Sequence, residues 1–319
     1  MADEKTAVVI LDGGSATQLV ELGHKTLHED PLWSAKLIKT CPSDIKLVHK
    51  QFYEAGADIC ITCTYQASVD GYKQHCNIDK DHAIQLMKDS AHLAQEAAKE
   101  TEAVTGRKCY VAGSVGPYGA CLHDGSEYSG NYVESLSIQE LSTWHLPRIT
   151  ALAEAGVDFL SIETIPALKE AEAVLETLKH FPNLKVFVNF SCKDGFHTCH
   201  GERLTDCIRL VNQSHQVIAS GMNCSHPQFT SSLLTSLQVD DITKPIIVKP
   251  NSGEDWTQGI GWAGRDKEEY LLSENVDEWI KLGARWIGGC CRVFPPDIAH
   301  LRRTLENNKT ISLDGLSYK

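Results

Sequence analysis

Ala55-Gly56-Ala57-Asp58-Ile59, Ala155-Gly156-Val157-Asp158-Phe159 and Leu282-Gly283-Ala284-Arg285-Trp286 are three versions of one junction. In each, glycine stands where a helical period stops and an apolar run begins shortly after. Glycine tolerates the left-handed conformation that closes a helix, so the recurrence has a mechanical cause. Upstream of the first junction Ile45, Val48, Phe52 and Ala55 follow helical spacing, as do Leu168, Ala171, Leu175 and Leu178 after the second. Working outward, eight apolar runs alternate with such helices: Val8 to Leu11, Ile59 to Thr64, Tyr110 to Val115, Phe159 to Ile162, Val186 to Phe190, Val217 to Met222, Ile246 to Val248 and Trp286 to Gly289. Runs without polar alternation are strands buried on both faces, and eight of them separated by helices predict an α/β fold, a single-domain (β/α)8 TIM barrel. An open doubly wound sheet competes, but the turn after the first strand, Asp12-Gly-Gly-Ser-Ala-Thr17, lacks the GxGxxG of dinucleotide binding. Ser137-Ile-Gln-Glu140 is a capping-box start, Pro166 suits a first helical turn, and Pro147 predicts a kink or break between Gln139 and Ala155. Residues 1–306 are read as the barrel. The chain from 307 to 319 has no apolar period and is expected to be a loosely attached tail.

Composition narrows the function. The 319 residues carry 42 acidic and 30 basic side chains, a formal charge of −12, with 42% hydrophobic residues and twelve cysteines. That is ample for a core and far too long for a disulfide-stapled miniprotein. The acidic balance argues against nucleic acid or an anionic membrane as partner, because neutralising phosphates takes clustered positive charge. No run approaches the ~18 apolar residues of a membrane span. Met1 to Gly14 has charges of both signs before one short apolar run, a strand pattern and not a signal peptide. A cytoplasmic protein with free thiols is therefore expected.

In a barrel of this type chemistry sits at the C-terminal strand ends. Those positions hold Asp12-Gly13-Gly14, Thr62 to Tyr65, Gly116 to Gly119, Glu163-Thr164, Ser191-Cys192, Asn223-Cys224, Asn251 to Gly253 and Gly289-Cys290-Cys291. Adjacent Cys290 and Cys291 are poorly placed for a strain-free disulfide, and with Cys224 they offer three thiolates and an open fourth position, as in a catalytic zinc site. The plainer reading makes them small buried residues. A second group, Cys192, His197, Cys199 and His200, departs from finger-type ligand spacing and reads either as a lesser zinc candidate or as a polar loop. The other cysteines have no such neighbours. Asp12 and Glu163 directly follow apolar strands, where carboxylates suit an ammonium group or a cationic ligand; most carboxylates are simply solvated. Trp33, Tyr65, Tyr118 and Trp262 are aromatic candidates for a soft cation, with core packing as the alternative role.

Gly221-Met-Asn-Cys224, Gly288-Gly-Cys-Cys-Arg292 and Leu11-Asp-Gly-Gly14 resemble the metal and first-strand motifs of the zinc-dependent homocysteine S-methyltransferases, nearly along the whole chain. Asp30-Pro-Leu-Trp-Ser-Ala-Lys36, Thr64-Tyr-Gln-Ala67, Gly113-Ser-Val-Gly-Pro-Tyr118, Asp124-Gly-Ser-Glu-Tyr128, Glu163-Thr-Ile-Pro166 and Lys249-Pro-Asn-Ser-Gly253 resemble the branch using S-methylmethionine or S-adenosylmethionine rather than the betaine branch. One departure is Ser15, where many members of the donor branch have leucine. The resemblance implies Zn2+ held by Cys224, Cys290 and Cys291. It also implies homocysteine contacts from Asp12, Gly13, Ser34, Thr62 and Glu163, with donor contacts sought among Trp33, Tyr65, Tyr118 and Trp262. The implied reaction moves a methyl group from a sulfonium to a zinc-bound homocysteine thiolate, giving methionine. Three other classes compete: a zinc hydrolase on the same barrel, a corrinoid-dependent methyltransferase, and a zinc-free redox or binding protein using Cys290 and Cys291. The first lacks a His-x-His at the first strand end and the second lacks a further domain. A monomer is expected.

Overall fold

The computed structural model describes residues 5–257, 261–263, 271–313 and 316, with the side chains of 255–257, 261–263 and 271 outside that description. All eight expected strands form. They are β1 (Val9–Ile10), β2 (Ile59–Ile61), β3 (Tyr110–Val115), β4 (Phe159–Ile165), β5 (Val186–Phe190), β6 (Val217–Asn223), β7 (Ile246–Lys249) and β8 (Ala284–Ile287). They hydrogen-bond in the order β1-β8-β7-β6-β5-β4-β3-β2, all parallel. A parallel bridge from Leu11 to Ile59, with Asp58 N–H to Ile10 O at 2.7 Å, closes the ring between β1 and β2.

Side chains alternate along each strand as the pleat requires. On the first two strands Val9, Leu11, Ile59 and Ile61 enter the barrel interior, where Phe187 and Trp286 meet at 5.4 Å, while Val8, Ile10 and Cys60 face the helices. This plug fills the interior beneath the C-terminal strand ends and leaves those ends for chemistry. The outer layer is Pro42–Ala55, Lys80–Thr105, Ile138–Glu154, Leu168–Leu178, Leu204–Asn212, Thr230–Ser236, Leu271–Lys281 and Pro295–Asn307. Gly56, Gly156 and Gly283 all have positive φ, as the repeated junction predicts.

Two expectations are revised. The helix Ile138–Glu154 begins with the expected Ser137/Glu140 capping box and is continuous through Pro147, so of the expected kink or break the break does not occur. Ser142, His145, Arg148 and Ile149 are buried on either side of the proline, so tertiary packing outweighs the lost hydrogen bond. Within the described part of the tail, expected to be loosely attached, one segment is paired. Ile311–Ser312 pairs in parallel with Thr6–Ala7 and buries Ile311. A two-residue strand is too short to give a periodic signal, so only its partner reveals it.

Candidate metal centre and its surroundings

Cys224 follows the last residue of β6, and Cys290 and Cys291 come three and four residues after β8. The fold brings them together: the Cys224 sulfur is 3.1 Å from that of Cys290 and 3.8 Å from that of Cys291. A tetrahedral zinc thiolate site has sulfurs about 3.8 Å apart, given Zn–S bonds near 2.3 Å. One of these distances already matches and the other requires a small opening, so the residues fit the ion. Cys224 and Cys291 are buried and Cys290 is partly open. Hydrogen bonds from Cys224 and Cys291 hold the Cys290 thiol well below its ordinary range, helped by the Lys249 charge, and the same sulfur contacts raise Cys224. The remaining metal-type cluster among the described residues, His24, Cys41 and Asp44, lies on other elements.

Local backbone serves this convergence. Gly288 packs against the strand carrying Asp12: a Cβ on it would lie 2.7 Å from the Asp12 carbonyl oxygen. Gly13 is pressed in the same way against the Val293 carbonyl, at 2.2 Å. The two glycine pairs therefore let the first and last strand ends touch. Thr164 and Cys224 adopt φ of +59° and +51°, costly for any side chain and most of all for a β-branched one. Asn223 stabilises this arrangement. Its Oδ1 accepts from the Thr164 N–H at 2.7 Å and its Nδ2 donates to Thr164 Oγ1 at 2.9 Å, with Cys290 Sγ 3.9 Å from the same nitrogen.

The two predicted carboxylates are both buried at the mouth, in different states of engagement. Asp12 Oδ1 accepts from Lys249 Nζ at 2.9 Å and Oδ2 from the Ile61 N–H at 2.7 Å. Burial raises the Asp12 pKa, against the opposing pull of Lys249. For Lys249 burial opposes the charge, but Asp12 and Glu163 more than offset it and the pKa rises. Glu163 accepts from Ser114 Oγ, its one hydrogen-bond partner among the described residues, and burial pushes its carboxyl up to about 7. Glu163 is thus the carboxylate with acceptor capacity to spare. If it holds a substrate ammonium, kcat/KM for that substrate should climb as pH rises through about 7, because only the ionised form attracts the cation. Glu163→Gln should remove that limb and raise KM about tenfold or more. An unchanged pH profile would refute the role.

Thr62 is buried and occupied: its hydroxyl lies 2.8 Å from Thr64 Oγ1 and accepts from the Ser114 N–H at 2.9 Å. Ser34 is buried at the start of the helix Ser34–Thr40. Trp33, just before it at φ +47°, meets Tyr65 edge-on with centroids 5.9 Å apart. Tyr118 instead joins an aromatic cluster with Tyr132 and Trp144. Trp262 lies on a short strand whose side chains are outside the described residues. The Cys192/His197/Cys199/His200 group is not drawn together. His197 turns to Asp194, while His200 sits between Glu134 and Glu202.

Several residues escaped the sequence reading. Tyr128 places its hydroxyl 3.4 Å from Cys224 Sγ. Arg148, buried under the mouth, donates to the carbonyls of Gly116 at 3.0 Å and Tyr65 at 2.7 Å, fixing the loops after β2 and β3. Lys249 and Tyr128 stand in stretches already quoted as motifs, but their roles depend on partners far away in sequence.

Comparison with known proteins adds an independent line. A family model described as homocysteine S-methyltransferase matches residues 9–305. The chain is 40% identical over 310 residues to homocysteine S-methyltransferase YbgG of Bacillus subtilis, covering 95% of this chain and 96% of that one. It is 37% identical over 329 residues to a betaine-homocysteine S-methyltransferase of Drosophila melanogaster, covering 98% and 96%. The metallated form of the homocysteine methyltransferase MmuM from Escherichia coli superposes with a TM-score of 0.83 at 37% identity, over 94% of this chain and 96% of that one.

Proposed function

We propose, since the chain belongs to the homocysteine S-methyltransferase family, that it methylates the thiol of homocysteine with a sulfonium donor at a zinc ion held by Cys224, Cys290 and Cys291. It is a methyltransferase, and the observation that carries the finer reading is the convergence of those three sulfurs at an open barrel mouth. A free thiol with pKa about 8.5 is only a few per cent ionised near neutrality. Zinc, when bound, supplies a site at which the acceptor thiol loses its proton yet remains nucleophilic.

The chain's own groups do the rest. Glu163, with Asp12 and Lys249 beside it, is placed to receive the charged amino-acid end of homocysteine, with Gly13, Ser34 and Thr62 as further contacts. Tyr128 and Asn223 orient Cys224 and Cys290. Three thiolates leave net negative charge in the mouth, which attracts a cationic donor, and Trp33 and Tyr65 offer it aromatic surface. The acceptor sulfur attacks the methyl carbon in line, the carbon–sulfur bond to the donor breaks, and that bond's electron pair leaves on a neutral thioether. No general base is needed at that step, so orientation is the main task.

Among the described residues no helix is long and apolar enough to cross a membrane. We read the protein as cytoplasmic, with its twelve cysteines as free thiols. We read the enzyme as a monomer. The direct test is methionine formation from homocysteine with S-methylmethionine and S-adenosylmethionine in parallel. Turnover with at least one is expected; none with either would contradict the proposal.

A further inference from the structure

Glu127 sits on the single turn Ser126–Tyr128, immediately before the tyrosine that touches Cys224. Its carbonyl accepts from Ser191 Oγ at 3.3 Å, which fixes the turn to the end of β5. Its carboxyl is held only by its own backbone N–H, with no side-chain donor or cation from elsewhere among the described residues. Glu127 Oε2 is buried and has no hydrogen-bond partner among the described residues. The groups that feel its charge are Tyr65, Cys121, Tyr128, Tyr132 and Cys199, with Asp124 adding repulsion, and none of these is a cation. Burial accordingly pushes its carboxyl up to about 7.

An unpaired carboxylate in such a place is costly, and the cost is recovered only when something cationic arrives. The open acceptor also selects among cations. A primary ammonium supplies both charge and N–H donors, whereas a quaternary ammonium or a sulfonium centre supplies charge alone. Homocysteine already has Glu163 and Asp12, grouped around Lys249. Glu127 belongs to the Tyr128 and Tyr65 side of the mouth.

We propose that Glu127 binds the α-ammonium group of the methyl donor, so that the donor is an amino-acid sulfonium and not a betaine-type quaternary ammonium. This rests on the methyl-transfer reading above and goes beyond it by naming the group that selects the donor.

The experiment compares wild-type holoenzyme and Glu127→Gln with S-methylmethionine, its deaminated analogue (3-carboxypropyl)dimethylsulfonium, and glycine betaine. Donor and homocysteine concentrations are varied separately. For Glu127→Gln the KM for S-methylmethionine should rise about 30-fold or more, while the values for the deaminated donor and for homocysteine stay within about twofold. Wild type should prefer S-methylmethionine over the deaminated donor by a comparable factor and form no methionine from betaine. An unchanged S-methylmethionine KM, or an equal rise for both sulfoniums, would overturn the assignment while leaving methyl transfer intact. If the variant does not fold, the wild-type pair still decides: equal kcat/KM for the two sulfoniums overturns the assignment. Methionine from betaine and from neither sulfonium would overturn the donor reading itself and this inference with it.

Discussion

Cys291→Ala is expected to abolish both metal retention and methionine formation, with turnover falling at least ~1000-fold. The size follows from what the substitution removes. Groups that hydrogen-bond to a metal's ligands are worth about 10- to 100-fold in affinity or activity, and a thiolate ligand is worth more than its supports. Cys291 lies 3.8 Å from Cys224, the span a tetrahedral site needs, so two sulfurs alone would leave the ion half-held. Acceptor activation is then lost, because the homocysteine thiol returns to its ordinary acidity. Metal analysis of protein purified without chelator, together with a methionine assay, checks the prediction. Cys290→Ala should behave alike, whereas Cys207→Ala, in the helix Leu204–Asn212, should keep both metal and activity. Retained turnover in the Cys291 variant would contradict the account.

Lys249→Met should produce the largest loss of stability. Lys249 and Asp12 form an ion pair at 2.9 Å with both side chains almost fully buried. Removing one partner of such a pair costs about 3–5 kcal/mol, because the other charge is stranded. Asp12 would keep the Ile61 N–H but lose its one cationic partner among the described residues, and its pKa, already raised by burial, would climb further. The sign follows: a carboxyl whose folded-state pKa exceeds its unfolded value favours the fold when protonated, and that contribution is lost as pH rises through the folded value. The deficit in urea unfolding should therefore shrink as pH falls. Asp12→Asn combined with Lys249→Met should restore much of the loss by removing the stranded charge. A double variant no more stable than Lys249→Met would show that the lysine acts through packing alone.

The barrel was legible because its determinants are local. Two-sided strands write continuous apolar runs such as Val186 to Phe190, and the left-handed helix ends at Gly56, Gly156 and Gly283 require glycine. The three cysteines were legible once strand ends were known, because the fold class states where strand ends converge. What escaped depends on pairs distant in sequence. Lys249 takes its meaning from Asp12, 237 residues away, and Tyr128 from Cys224, 96 residues away. Thr62 combines the two: its place at a strand end is written locally, whereas the hydrogen bonds that fix its hydroxyl, with Thr64 and with Ser114 of the neighbouring strand, could not be read from the chain. Pro147 and the Ile311–Ser312 strand show tertiary contacts overriding a local signal that was correct as far as it went.

The central claim is that the acceptor sulfur joins three protein thiolates on one ion. X-ray absorption at the zinc edge, recorded on the holoenzyme before and after adding homocysteine, addresses it directly. The account predicts three sulfur neighbours near 2.3 Å plus one lighter atom, becoming four sulfurs on addition. A sulfur count that does not change when homocysteine binds would contradict it.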